Sequence, residues 1–332
     1  MRHFLSSLIV TALGLSAAYY WGGAAALLTA TFLGIMEVSL SFDNAVVNAT
    51  VLRDMSPHWQ RRFLTWGMLI AVFGVRFLLP VLIVAWVTGH ELVSVVVMAL
   101  KQPDEYARHL SEAHAEITLF GAMYLLLVFL AFFFQENKSL HWVSWLERRL
   151  ASMGKLESIE VVLALLALLG IQHFLPESER LPAMIAGLAG VILFVVIKSV
   201  STLFEHVGPA SDTVHKAGFV SFLYLELLDL SFSFDGVIGA FAITKDVVVI
   251  LLGLTIGAMF VRSLTLFLVQ RNMLEEYLFL EHGAHYAIGA LALLMLADTF
   301  AHVPEWATGL IGMSLILMSL WSSIRLRRKA AR

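Results

Sequence analysis

The sequence predicts an all-α polytopic membrane protein, and three observations carry the prediction. Apolar residues make up 59% of the 332 residues and charged residues only 14%, against about 45–50% and about 25% in soluble domains. The apolar residues fall in runs long enough to cross a bilayer. The acidic residues inside those runs recur in two matching segments. No soluble fold of this size could hide so much apolar surface. With 7 Pro, 22 aperiodic Gly and no Cys, disordered, collagen-like and disulfide-stapled chains are excluded too. The absence of Cys also removes thiolate nucleophiles, iron–sulfur clusters and thiolate metal sites.

Ten runs qualify as spans. Residues 4–21 follow Arg2 and end in Tyr19-Tyr20-Trp21, an interfacial aromatic anchor rather than a signal-peptide cleavage site. Residues 24–51 carry a first acidic motif, 63–88 carry Arg76, and 115–135 and 158–175 complete a first half, 1–176. The second half, 177–332, holds runs at 183–203, 217–243, 247–269, 284–300 and 305–324, with the second acidic motif in 217–243. The net charge of −3 says little as a total, but its distribution orients the chain. With both termini in the cytoplasm, inside loops hold 15 Lys and Arg and outside loops 4, the bias of the positive-inside rule. The basic tail after Arg325 reads as a stop-transfer anchor.

The two halves repeat each other. Glu37-Val-Ser-Leu-Ser-Phe-Asp43-Asn44 matches Asp229-Leu-Ser-Phe-Ser-Phe-Asp235-Gly236. Gly67, Ile70, Val75, Arg76 and Leu78 then match Gly253, Ile256, Val261, Arg262 and Leu264 at identical spacing. More weakly, His114 and Gly121 match His282 and Gly289. Equivalent runs are five spans apart, so they cross in opposite directions and form an inverted-topology repeat, as in many secondary transporters. Residues 89–113 and 136–157 are loop insertions of the first half.

Each charge within a span needs a reason, since one at the bilayer centre costs at least about 2.5–3.5 kcal/mol. Glu37, Asp43, Glu226, Asp229 and Asp235 stand against Arg76, Lys198 and Arg262. The deficit of two charges fits a bound divalent cation or protonated carboxyls equally well. On a straight helix Glu37, Ser41, Asn44 and Asn48 share one face, and so do Asp229 and Ser233. Asp43 and Asp235 point elsewhere. Unwinding near the midplane at Ser-Phe-Asp-Asn and Ser-Phe-Asp-Gly would reconcile the acids and free carbonyls as ligands. The available ligands are hard oxygens, which suit Mg²⁺, Ca²⁺ or Mn²⁺. The competing reading pairs these acids with Arg76 and Arg262 as architecture or as a gate. His114, His282 and His285 read as interfacial, the Met residues as packing, Lys198 as a snorkelling or Glu205-paired cation, and Asp298 as facing water.

The paired Ser-Phe-Asp segments, each preceded six residues earlier by an acid, resemble the TerC-type integral membrane proteins. Glu37 through Ala49 is most similar to the branch long catalogued as a domain of unknown function. The resemblance implies Mn²⁺ efflux across a bacterial inner membrane, with Glu37, Asp43, Asn44, Asp229 and Asp235 as metal ligands. Gly236 stands where the first motif has Asn44, which leaves that half one side-chain ligand short unless Glu226, a carbonyl or water replaces it.

The sequence therefore leads to a divalent-cation transporter, most readily of Mn²⁺, with Ca²⁺ and Mg²⁺ next. Protons competing for the carboxylates would couple the cycle. The alternative is a membrane scaffold that supplies Mn²⁺ to exported proteins or gives tellurite or metal-stress resistance without transport. An enzyme is not expected, since neither His-Glu-x-x-His nor Gly-x-Ser-x-Gly occurs. With no basic domain outside the spans, nucleic acid is not an expected partner. The oligomeric state is left open.

Overall fold

The computed structural model describes residues 4–135, 140–156, 158–206, 211–301 and 303–330, and every regular element among them is helical. In chain order these are α1 (Leu5–Leu40), α2 (Phe42–Asp54), α3 (Pro57–Arg62), α4 (Leu79–Thr88), α5 (Leu92–Lys101), α6 (Pro103–Glu112), α7 (His114–Phe133), α8 (Ser144–Met153), α9 (Ile159–Ile171), α10 (Glu177–His206), α11 (Ser211–Ile243), α12 (Val247–Gln270), α13 (Met273–Glu276), α14 (Leu280–Asp298) and α15 (Glu305–Ala330). Between α3 and α4 the rod continues through two π-wound stretches, Phe63–Gly67 and Ile70–Leu78. Seven helical segments among the described residues are long and apolar enough to cross a membrane. The chain is a multi-span membrane protein.

The expected runs map onto these helices unevenly. α1 takes in the first run and the start of the second, but Gly22 (φ −140°) and Gly23 (φ 67°) leave helical geometry between them. The positive φ is one that glycine adopts without steric cost. The two arms lie along α12 in opposite directions. Ser7 donates to Met259 O at 2.6 Å, Trp21 Nε1 to Asp246 Oδ2 at 2.9 Å, and Gly34 comes back to Ile256. Asp246 also accepts from the N–H groups of Val248 and Val249, so it caps α12 while it anchors the hairpin tip. By contrast α9 has 13 residues instead of the expected run 158–175, so it is only about 20 Å long. The insertion 89–113, expected as a loop, folds as α5 and α6. Val95, Met98 and Ala99 bury one stripe of α5 against Val81, Val84 and Ile250.

Depth of burial separates inner helices from outer ones. In α7 and α14 the most apolar stretch is 67% buried, against 28% in α1, α10 and α15. The core gathers on α7, where Leu119, Met123, Tyr124, Leu125 and Leu127 are fully enclosed. The outer helices present Leu13, Phe32, Leu181, Ile185 and Trp321 outward, as a surface facing lipid must. Polar links close the bundle ends. His114 Nε2 lies 3.2 Å from Asp298 Oδ2, and Asp298 Oδ1 accepts from Val303 N, so Asp298 is engaged rather than simply facing water. Lys198 pairs with Glu160 at 2.5 Å, a partner the local spacing did not reveal; the side chain of Glu205 lies outside the described residues.

Candidate functional site

The first acidic motif lies where α1 gives way to α2. Ser41 leaves helical geometry (φ −100°, ψ 18°), although its N–H still reaches Glu37 O at 2.9 Å. The expected break is therefore present as a one-residue turn. The second motif behaves differently: α11 runs unbroken from Ser211 to Ile243. The expected unwinding at Ser233-Phe234-Asp235-Gly236 does not occur, because a continuous helix satisfies every backbone group internally. Gly236 serves another purpose. A Cβ there would come 2.8 Å from Glu37 Oε2, so the missing side chain is the space into which the other half's carboxylate fits.

Glu37, in the last turn of α1, meets Arg76 of the π-wound stretch and Asp229 of α11. Arg76 Nη2 donates to Glu37 Oε1 at 2.5 Å, and Nη1 lies 3.7 Å from Asp229 Oδ2. Nη1 also donates to Ala71 O at 2.7 Å, one π-helical turn back along the same rod. Ser41 Oγ donates to Glu37 Oε1 at 3.2 Å, Asn44 Nδ2 to Asp229 Oδ1 at 2.9 Å, and Ser233 Oγ to Asp229 Oδ2 at 3.4 Å. Glu37 is 1% and Arg76 4% exposed, so the pair is enclosed and its charges are worth holding only together. The predicted shared face of Glu37, Ser41 and Asn44 is realised as one bonded cluster.

Beside this cluster lies a cavity of about 30 Å³, lined by Asn48, Gly67, Arg76, Glu226, Asp229, Arg262 and Thr265 among others. Both carboxylate oxygens of Glu226 are buried there without a hydrogen-bond partner, as are Asn48 Oδ1 and Arg262 Nε. Buried polar atoms without partners are uncommon and costly, and here they crowd one small space. Asn44 Oδ1, next to Asp229, is also unpartnered. Gly67 is what admits Glu226, since a Cβ at Gly67 would overlap Glu226 Oε1.

Not every predicted residue joins. Asp43 accepts from Asn44 N at 2.9 Å and faces Gly312 of α15, where a Cβ would lie 3.1 Å from its Oδ2. The two acids of the first motif diverge as they would on a straight helix; a single-residue turn does not bring them together. The side chain of Asp235 lies outside the described residues. Among the described residues no three His, Asp or Glu side chains form a group that could hold a metal ion. A guanidinium stands between the two acids instead. Sequence reasoning also missed the glycines that make this packing fit. Gly257 of α12 lies against Glu37, where a Cβ would overlap Glu37 Cβ and come 2.9 Å from Gly34 O. The one available signal was positional: Gly67 and Gly236 each stood inside a repeated segment.

Residues 42–330 match a family model described as "Protein of unknown function (DUF475)". The chain belongs to the DUF475 family. The family match takes in Asp43, Arg76, Asp229 and Arg262 and begins just after Glu37 and Ser41. Over 77 residues this DUF475 chain is 38% identical to the uncharacterized membrane protein YceF of Bacillus subtilis (strain 168). That stretch is 23% of the chain and spans 29% of the relative's length. No solved structure matches it.

Proposed function

We propose that this DUF475 protein is a divalent-cation transporter whose best-supported cargo is Mn²⁺, exported from the cytoplasm. Ca²⁺ and Mg²⁺ are the next candidates. In this reading about ten crossings form two inverted halves, 1–176 and 177–332, that rock about the acids between them. Both termini face the cytoplasm of a bacterial inner membrane. The resemblance to TerC-type proteins supports Mn²⁺ in particular. One observation carries the rest: carboxylates from both matching segments converge beside a small cavity whose polar oxygens lack partners. Hard oxygen donors at a deep, enclosed position fit a cation in transit. Glu37, Asp229 and Asn44 would form the site, with Glu226, Ser41, Ser233 and Asn48 supporting and Arg76 and Arg262 as counter-ions or gates. The resemblance to TerC-type proteins adds Asp43 and Asp235 as ligands. Protons exchanging on the same carboxyls would couple the cycle.

A specific observation favours a second reading, the scaffold. The Arg76 bridge between Glu37 and Asp229 is also what a purely architectural ion pair would look like. Flux separates the two. Purified protein in liposomes is tested with Mn²⁺, Mg²⁺, Ca²⁺ and Zn²⁺, beside Glu226→Gln and Asp43→Ala. The transporter reading expects saturable Mn²⁺ flux that Glu226→Gln abolishes and that falls when the proton gradient is collapsed. No flux of any cation from folded protein would leave the scaffold.

A further inference from the structure

We propose that the Arg76 guanidinium is a tethered counter-ion that keeps the cargo's place between Glu37 and Asp229, and that a divalent cation binds there by displacing it. This deepens the transporter reading and rests on it.

Charge is the first argument. A guanidinium brings one positive charge to two carboxylates, whereas a divalent cation brings two. Only the latter neutralises the pair, and in a low-dielectric interior residual charge is costly. The second argument is how loosely Arg76 is held. Arginine offers five N–H donors, yet Nε has no partner and the Asp229 contact is 3.7 Å long. The short bond to Glu37 and the bond to Ala71 O carry the hold. The third argument is a vacant ligand. Asn44 donates its amide N–H to Asp229 while its Oδ1, buried at the same junction, accepts nothing. An amide oxygen beside two carboxylates is a hard-cation ligand without a cation.

The displaced arm also has somewhere to go. Glu226 lines the same cavity as Arg76, and neither carboxylate oxygen is partnered although two arginines border that space. A swing of Arg76 from Glu37 and Asp229 to Glu226 exchanges one carboxylate partner for another without leaving the cavity. Arg76 is carried by the π-wound stretch Ile70–Leu78, a winding that occurs mostly as bulges and frequently at functional sites. Cargo binding and release would then be coupled to where one arginine points.

The test uses the full-length protein in detergent with MnCl₂ as probe, reading Mn²⁺ binding by paramagnetic resonance and thermal melting with and without the metal. Arg76→Gln is expected to bind Mn²⁺ at least about tenfold tighter than the natural protein, a step of about 1.4 kcal/mol. Without metal it should melt lower than the natural protein, and Mn²⁺ should restore the loss. Arg76→Lys, whose compact ammonium lacks the guanidinium's planar fork, should fall between the two. Adding Glu37→Gln to Arg76→Gln should remove both the tight binding and the rescue. Folded Arg76→Gln that binds Mn²⁺ no tighter than the natural protein overturns the proposal. If Arg76→Gln does not fold even with Mn²⁺, Arg76→Lys decides, and binding no tighter than natural overturns it equally. Mn²⁺ flux by the natural protein together with such a result removes the counter-ion and leaves the transporter. Tight binding by Arg76→Gln without flux by the natural protein removes the transporter and leaves an arginine-guarded cation site.

Discussion

Two segments with nearly the same sequence do different work in this protein. In the first, the helix turns at Ser41, and the arginine of the paired segment, Arg76, sits on a π-wound rod bonded to Glu37. In the second, α11 runs straight through its motif, and Arg262 sits on the regular helix α12. Among the described residues Arg262 makes no ion pair, and its Nε is buried without a partner. Gly236 replaces Asn44, and the space it leaves is taken by Glu37 from the other half. Sequence symmetry therefore goes with a structural asymmetry among the described residues: one arginine reaches one acid of each motif, Glu37 and Asp229, and the other is left without an ion pair.

The comparison breaks most sharply at the Arg76 pair. Glu37→Ala removes the acid at 2.5 Å from a 4%-exposed guanidinium, and stranding a buried charge in this way costs about 3–5 kcal/mol. Asp229→Ala removes only the contact at 3.7 Å and the bonds from Asn44 and Ser233. We expect Glu37→Ala to melt well below Asp229→Ala in the same detergent. Equal melting of the two would mean that Arg76 is shared evenly and that the asymmetry is not energetic.

A smaller effect tests the glycines. Gly257→Ala sets a methyl against Glu37 Cβ and the Gly34 carbonyl, which is backbone and cannot yield. Overpacking of this kind costs about 1–3 kcal/mol. Gly67→Ala meets the end of the Glu226 side chain, which can turn aside. It should lower stability less than Gly257→Ala does, yet disturb Mn²⁺ flux more. A larger stability loss from Gly67→Ala would mean that Glu226 is held rigidly.

Much of the fold was legible because it follows from local pattern. Apolar run length marked most of the crossing helices, and the period of 3.6 residues put Glu37, Ser41 and Asn44 on one face. What stayed hidden was set by partners distant in sequence. Lys198 pairs with Glu160 from another helix, and Gly236 was shaped by a carboxylate nearly two hundred residues away. The π winding around Arg76 has no propensity signature at all; its residues read as an ordinary apolar helix. α5 was read as loop because the run is too short to span, although its apolar stripe was there to be found. At the site, the sequence named the residues that meet and offered Arg76 as a partner of the acids, but it could not say that this one guanidinium would reach an acid of each motif.

The smallest expected effect concerns the arginine left over. Arg262 is half-buried beside the cavity, without an ion pair among the described residues. Replacing it with Met preserves most of the packing of its aliphatic stem and removes a charge that nothing described there compensates. Since no described ion pair is broken, the change in unfolding free energy should stay within about 1 kcal/mol and can be stabilising. The same replacement at Arg76 should destabilise several-fold more, because it strands Glu37. Melting of Arg262→Met and Arg76→Met side by side reads the contrast directly. If both lose the same stability, Arg262 has a partner of equal weight, and the two halves are energetically symmetric after all. If only Arg76→Met loses stability while Arg262→Met alters Mn²⁺ flux, the leftover arginine acts on the moving cation rather than on the fold.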